Sequence, residues 1–136
     1  MSEGTLATEG RFHVVGLAYV SLYYKGFDEA VAFYTRVFGA PLKVDDPGVI
    51  RGWHLGSTWL TLFPSNGGTR PDANPCNTEF AIQVSTPAEV DVLLQVLIDA
   101  GATPGWEAED TEMYDPMRFG YVEDPFGVRI DVYCPL

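Results

Sequence analysis

The sequence predicts an α+β fold made of two tandem units, each a strand, a helix and three further strands. Apolar residues alternate at strand spacing through most of the chain, and in each half they change once to helical spacing. Each helical segment is followed by a glycine, which is a common helix end. The same order of elements therefore occurs twice, as an internal repeat of about 60 residues.

The first unit begins with residues 12–24, which are rich in Val, Leu and Tyr and predict a strand. Residues 27–38 have apolar side chains at helical spacing, and Gly39 is predicted to end this helix. Three strands complete the unit, the last two as a hairpin across residues 56–57, and they are predicted over residues 42–45, 49–55 and 58–63.

The second unit repeats this order from residue 78. A strand is predicted over residues 78–84, and a helix follows over residues 90–100. Its opening signal is a capping box, with Thr86 as the N-cap, Pro87 at the first helical position and Glu89 reaching back. The remaining strands are predicted over residues 102–108, 117–123 and 128–133.

The last strand is preceded by Asp124-Pro125-Phe126-Gly127, which predicts a turn. The Asp124 side chain is expected to accept hydrogen bonds from the backbone amides ahead of it. The strand alternates, with one face formed by Val128, Ile130 and Val132 and the other by Arg129, Asp131 and Tyr133. Asp is disfavoured inside a strand, so the face that carries Asp131 must tolerate or use a carboxylate.

The domain organisation follows from these patterns and from the segments between them. Residues 1–10 are predicted to form a flexible N-terminal arm, residues 11–66 the first unit, and residues 67–77 a linker rich in Pro, Gly and Asn. Residues 78–136 form the second unit. Each unit alone would be a sheet with one covered face, so the two are expected to form one structural domain.

The net charge of −11, from 19 acidic and 8 basic residues, makes nucleic acid and anionic membranes poor partners. The chain has no apolar run long enough for a membrane helix, and its first ten residues do not resemble a secretory signal. Its two cysteines do not suggest a disulfide framework. We therefore expect a cytoplasmic protein.

The chain resembles the vicinal oxygen chelate superfamily, which contains glyoxalase I, extradiol dioxygenases and the bleomycin and fosfomycin resistance proteins. Besides the duplicated units, the resemblance is carried by Ala30-Val31-Ala32-Phe33-Tyr34 with Phe38-Gly39, and by Asp124-Pro125-Phe126-Gly127. It covers residues 12–134. It implies two curled mixed sheets around a concave cup, which is usually completed in a homodimer and holds a small molecule.

The metalloenzymes of this superfamily hold a divalent ion on the first and last strands of each unit. The resemblance places these positions at Tyr19, Thr61, Glu79 and Asp131, where the enzymes mostly have His, Glu or Gln. Only Glu79 and Asp131 are ordinary ligand types. We expect no cofactor, and the alternative is a weakly held divalent metal at Glu79, Asp131 and Tyr19.

The two carboxylates also have a metal-free interpretation. If the first and last strands of the second unit are neighbours, Glu79 and Asp131 lie within hydrogen-bond range of each other. One pKa would then be raised, and that carboxyl would be a candidate catalytic acid or base. The structural alternative is that one of them pairs with Arg118 or Arg129, or faces solvent.

Aromatic and basic side chains near the expected cup are candidates for ligand binding. Aromatic rings stack on planar ligands, and an arginine pairs with an anion. Each aromatic residue alone is equally explained by packing in the core or in a dimer. The candidate ligand-binding residues are Tyr19, Arg51, Trp53, Trp59, Tyr114, Met117 and Arg118.

Three functions remain open. The first is a small-molecule binding protein without a standard metal site, as in the bleomycin resistance members, with an aromatic or apolar ligand. The second is a lyase or dioxygenase-like enzyme with an altered divalent-metal site. The third is a metal-free enzyme that uses Glu79 or Asp131 as a base on a carbonyl substrate. The missing histidine ligands and the aromatic side chains place the binding protein first.

Overall fold

The computed structural model describes residues 13–45, 50–65, 75, 78–112 and 115–136. The strands are β1 (Tyr19–Tyr24), β2 (Lys43–Asp45), β3 (Ile50–Leu55), β4 (Thr58–Pro64), β5 (Thr78–Gln83), β6 (Thr103–Glu112), β7 (Pro116–Glu123) and β8 (Val128–Pro135). The helices are α1 (Phe27–Phe38) and α2 (Pro87–Ala100). Neither of these helices is long and apolar enough to cross a membrane.

The described strands form two four-stranded mixed sheets, in the orders β1-β4-β3-β2 and β5-β8-β7-β6. In each sheet the first strand pairs in parallel with the last, and the other neighbours are antiparallel. The helix after the first strand makes the crossover that a parallel pair requires. The predicted α+β fold of two repeated strand-helix-three-strand units is confirmed.

Two predicted strand bounds are wrong. The first strand begins at Tyr19 instead of residue 12, and residues 13–18 have no regular structure and exposed side chains. Within the described residues the register with β4 begins at Tyr19 opposite Trp59, and before it the Ala18 carbonyl accepts the Trp59 amide at 2.9 Å, so the apolar alternation of residues 13–18 is not matched by a continued ladder. β6 continues to Glu112 instead of ending at residue 108, since its pairing with β7 extends to the end of the hairpin. The predicted arm 1–10 lies outside the described residues, and so does the linker 67–77 except for Pro75.

The two helices cover one face of each sheet, and this helix face holds one continuous core. Its buried side chains include Leu22, Leu60, Leu62, Val128, Ile130 and Val132 from the strands and Phe33, Tyr34, Val90, Leu94 and Leu97 from the helices. We call the opposite side of each sheet the open face. By strand register the open faces carry Tyr19, Ser21, Tyr23, His54, Trp59, Thr61 and Phe63, and Glu79, Ala81, Gln83, Met117, Phe119, Tyr121, Arg129, Asp131 and Tyr133.

Asp124 joins the two units. Its Oδ1 accepts the backbone amides of Phe126 at 2.8 Å and Val128 at 2.9 Å, as the turn sequence predicts. Its Oδ2 accepts the hydroxyls of Tyr24 at 2.7 Å and Tyr34 at 2.9 Å, which belong to the first unit. The turn therefore fixes both the closing hairpin and the docking of one unit on the other.

A second polar contact between the units lies at the end of α2. The Arg36 guanidinium of α1 donates two hydrogen bonds to the Ala100 carbonyl, from Nε at 3.0 Å and Nη2 at 2.7 Å. At the other end of α2 the predicted capping box is confirmed, with Glu89 accepting the Thr86 amide at 3.0 Å. The last turn of α2 has no basic residue of its own, so Arg36 supplies the favourable charge there.

Candidate functional site

Glu79 and Asp131 lie on adjacent strands. β5 pairs in parallel with β8, with Glu79 opposite Arg129 and Ala81 opposite Asp131. Because side chains alternate along a strand, all four residues point to the open face of the second sheet. The first and last strands of the second unit are therefore neighbours, as predicted, and the carboxylates of Glu79 and Asp131 lie on the same surface.

Arg129 lies between these two carboxylates. Its Nε donates to Asp131 Oδ1 at 2.7 Å and lies 3.5 Å from Glu79 Oε2. Its guanidinium carbon lies 3.7 Å from the centre of the Tyr121 ring, which is cation–π geometry. Sequence reasoning gives Arg129 only as a structural partner for a carboxylate and misses it as a site residue. The sequence feature that could have identified Arg129 is its spacing of two residues from Asp131, which puts Arg129 and Asp131 on the same face of the strand.

The pKa of Asp131 is raised to about 6. The main cause is withdrawal of the carboxyl from water, and a hydrogen bond with Glu79 adds to it, whereas Arg129 acts in the opposite direction. The Asp131 side chain is 10% exposed, compared with 50% for Glu79. Asp131 is therefore the member of the pair that can hold or accept a proton near neutral pH.

The other two expected metal positions lie on the first sheet. Thr61 is buried and its hydroxyl lies 2.6 Å from that of Ser21, on the neighbouring strand. Tyr19 is 54% exposed and stacks on Trp59 with 6.4 Å between ring centres. Both hydroxyl side chains are on the open face of the first sheet.

These residues do not fit a divalent metal ion. The Asp131 carboxylate already binds the Arg129 guanidinium, and Tyr19 and Thr61 offer neutral hydroxyls on the other sheet. Within the residues that the structure describes, no group of three or more His, Cys, Asp or Glu side chains is placed to hold a metal. We therefore derive no chemistry through a metal at Glu79, Asp131 and Tyr19.

Aromatic rings form rows on both open faces. On the first sheet Trp59 also stacks on His54 at 4.8 Å, and Tyr23 stacks on Phe63 at 5.0 Å. On the second sheet Trp106 contacts Phe119 and Tyr121, with ring centres 6.3 and 5.9 Å apart. Rings in this arrangement present flat apolar surfaces to a planar ligand.

Trp53 and Arg118, two of the expected ligand-binding residues, lie away from the open faces. Trp53 is buried in the core beside Tyr34, and its Nε1 donates to the Gly39 carbonyl at 2.8 Å. Arg118 pairs with Asp91 of α2 at 3.0 Å and with Asp110 at 2.9 Å. Trp53 therefore contacts the protein interior, and Arg118 contacts exposed carboxylates of α2 and β6.

The other expected ligand-binding residues are Met117, Arg51 and Tyr114, and they do not share one location. Met117 is buried on the open face of the second sheet, next to the aromatic row. Arg51 lies opposite Leu62 in the first sheet, so it shares the helix face, and its Nη1 donates to the Ile50 carbonyl at 2.8 Å. Tyr114 lies outside the described residues.

A cleft of about 960 Å³ lies between the β3–β4 hairpin and the free edge strand β5. It brings the Trp59 and His54 rings of the first unit to the same cavity as Glu79 of the second. Its other walls are largely apolar and include Leu17, Val20, Leu55, Leu60, Phe80 and Ile82. A cavity of this size with few polar groups is typical of a small-molecule site.

The fold is a pair of strand-helix-three-strand units, and residues of both units line the cleft. The sequence matches the family model of the Glyoxalase/Bleomycin resistance protein/Dioxygenase superfamily over residues 16–132. The chain therefore belongs to this superfamily, as the sequence motifs indicate. No curated protein matches the sequence.

Solved structures show the same fold. A glyoxalase-related enzyme from Fulvimarina pelagi is 21% identical with a TM-score of 0.69, covering 89% of this chain and 88% of its own. A lactoylglutathione lyase from Agrobacterium tumefaciens is 22% identical with a TM-score of 0.67, at 90% and 95% coverage. TioX from Micromonospora sp. ML1 is 21% identical with a TM-score of 0.70, at 89% and 99% coverage.

Proposed function

We propose that this protein binds a small planar ligand, aromatic or apolar, in a cup formed by the open faces of a homodimer, without a metal ion. The observation that carries the proposal is the row of aromatic rings on each open face, of which the first sheet's row reaches the cleft through His54 and Trp59. Aromatic surfaces of this kind favour flat ligands through stacking and burial of apolar area.

A second copy of the chain is the partner that best covers these faces. Tyr19, Val15 and Leu17 at the start of the first sheet are all exposed, and both β1 and β5 are edge strands. Exposed apolar side chains next to edge strands favour association with another chain. Sedimentation or light scattering should show a dimer, and a monomer at all concentrations would contradict this part of the proposal.

Tryptophan fluorescence tests ligand binding directly. Trp59 and Trp106 lie on or beside the open faces whereas Trp53 is in the core, so a bound planar ligand should quench part of the emission. Replacing Trp59 by Ala should weaken binding about tenfold or more, since a stacked aromatic contributes roughly 0.5–1.5 kcal/mol beyond its buried area. The matched control is Val92→Ala, which removes an exposed apolar side chain from the outside of α2.

A library of neutral planar compounds supplies the ligands for this test. Saturable quenching that Trp59→Ala weakens and Val92→Ala leaves unchanged supports the binding function. Absence of any binder, or equal loss in both variants, would exclude a ligand site at the aromatic rows.

A metal-free enzyme is the second candidate, and the raised pKa of Asp131 favours it. A carboxyl that titrates near neutral pH beside an aromatic surface is suited to remove a proton next to a carbonyl group. With a substrate found among the ligands, Asp131→Asn should abolish turnover while binding persists. Full turnover in this variant would remove Asp131 as the base.

A further inference from the structure

We propose that the Arg129 guanidinium is the permanent cation of this site, which excludes divalent metals and offers hydrogen bonds to an oxygen of a neutral planar ligand. The ligand part of this inference rests on the proposed binding function. The exclusion of metals depends only on the contacts of Arg129 and can be tested without any ligand.

The position of the guanidinium supports the exclusion of metals. A divalent ion between Glu79 and Asp131 would lie beside the Arg129 cation, whose Nε is 2.7 Å from Asp131 Oδ1 and 3.5 Å from Glu79 Oε2, and the two cations would repel each other. The Tyr121 ring beneath the guanidinium, 3.7 Å from its carbon, holds the cation over the strand. The arginine thus neutralises the carboxylates that a metal would otherwise neutralise.

The guanidinium has donors left for a ligand. In the described part of the chain, the hydrogen bond of Arg129 is made by Nε, and none is found for its two terminal nitrogens. The side chain is 37% exposed on the open face, so these nitrogens are accessible. Their planar, parallel N–H groups match a carbonyl oxygen or two adjacent oxygens.

Charge decides between an anionic and a neutral ligand. The cluster of Arg129, Glu79 and Asp131 contains one guanidinium and two carboxyl groups. The positive charge of Arg129 is therefore already balanced by carboxylates. The whole chain carries a net charge of −11, which further opposes an approaching anion. A neutral molecule that accepts hydrogen bonds avoids this repulsion and still uses the free donors.

Titration calorimetry with Mn²⁺ and Zn²⁺ tests the cation. Wild type should give no saturable binding, Arg129→Met should gain weak binding through the two carboxylates Glu79 and Asp131, and Arg129→Met/Asp131→Asn should lose it again. Arg118→Met is the matched control, because Arg118 also pairs with two carboxylates, Asp91 and Asp110, which are more exposed. Arg129→Lys, which keeps a cation and guards against misfolding of Arg129→Met, should remain metal-free.

Three results would overturn the role of Arg129 as the cation. The first is metal binding by the wild type that Asp131→Asn removes. The second is the absence of metal binding in a folded Arg129→Met variant. The third is metal binding by Arg118→Met that equals that of Arg129→Met.

Four bicyclic probes of similar size test the ligand class: coumarin, naphthalene, 1-naphthoate and 1-naphthylammonium. Coumarin should bind best, and in buffer free of divalent metal Arg129→Met should weaken coumarin about tenfold but leave naphthalene unchanged, as expected for loss of a hydrogen bond to a charged donor. Tightest binding of 1-naphthoate, or no dependence of coumarin binding on Arg129, would overturn the neutral oxygen ligand. If no probe binds while Arg129→Met gains metal, the binding function and its ligand class fail and the role of Arg129 as the cation stands.

Discussion

Asp124 and Asp131 are both buried carboxylates near the closing hairpin, and they are satisfied in different ways. Asp124 accepts hydrogen bonds from two backbone amides and two tyrosine hydroxyls, all of them neutral donors. Asp131 has one charged donor, Arg129, and a second carboxylate, Glu79, beside it. Burial alone therefore does not identify a functional carboxylate.

Asp124 and Asp131 differ in how far the surrounding donors use the hydrogen-bond acceptor capacity of each carboxylate. Four donors aimed at Asp124 use its acceptor capacity and tie it to the fold. The environment of Asp131 instead raises its pKa to about 6, so its proton affinity is adjusted to the neutral range. Asp124 is a structural residue, and Asp131 lies on the open face of the second sheet.

The largest effect is expected for Asp124→Ala. The substitution removes the shared acceptor of two backbone amides and of two buried phenols, whose oxygens lie 3.3 Å from each other, and we expect a loss of about 4 kcal/mol in the free energy of unfolding. Urea denaturation followed by circular dichroism measures it. Asp124→Asn retains one carbonyl acceptor and should lose less, and a loss below about 1 kcal/mol for Asp124→Ala would contradict the structural role.

Asp131→Asn should change how stability depends on pH. The folded-state pKa of Asp131, about 6, lies above its ordinary value of 3.8, so its contribution to stability is present below the ordinary value and lost as pH rises through 6. The variant cannot ionise, and relative to wild type it should gain about 2 kcal/mol between about pH 4 and about pH 7.

Urea denaturation of both proteins across this pH range checks the prediction, since the change with pH isolates the titration from the lost Arg129 contact. A difference between the two proteins that does not vary with pH, or that moves the other way, would show that the pKa of Asp131 is not raised.

Tyr24→Phe and Tyr34→Phe should have intermediate effects. Each removes one hydroxyl donor from Asp124 and leaves the ring in place, which should cost about 1–2 kcal/mol. Because both hydroxyls share Oδ2, a double-mutant cycle should give a coupling energy different from zero. Strictly additive losses would show that the two phenols act independently of this carboxylate.

Arg118→Met should have the smallest effect. Its partners Asp91 and Asp110 are exposed, so the ion pairs are screened by salt and add little. We expect a small decrease in Tm at low salt that disappears at high salt, and unchanged ligand binding. Ligand affinity that falls as far as in an Arg129 variant would move the binding surface to the helix face.

The fold could be predicted in detail because each element carries a local signal. The bounds of α1 follow from the helical spacing of its apolar residues and from Gly39. The capping box at the start of α2 is a local motif of four consecutive residues, from Thr86 to Glu89. The start of β1 could not be predicted, since residues before Tyr19 have strand-like composition, whereas in the described part of the chain the β1–β4 ladder starts at Tyr19.

The site could be predicted only in part. Alternation along a strand shows which residues share a face but not which face the helices cover, so Trp53 and Arg118 looked like cup residues. The placement of Asp131 on the last strand follows from the turn motif at residues 124–127, which directly precedes this strand. The ion pairs of Arg129 depend on side-chain geometry across two strands, and residue spacing does not determine it.

The contacts at Asp124 and Arg36 make each unit depend on the other during folding. The second unit supplies the only carboxylate that Tyr24 and Tyr34 share within the described residues, and the first supplies the cation that caps α2. Neither half carries a complete set of partners for its own buried or terminal polar groups. We therefore expect the duplicated chain to unfold in a single cooperative transition, and an isolated half to remain unfolded.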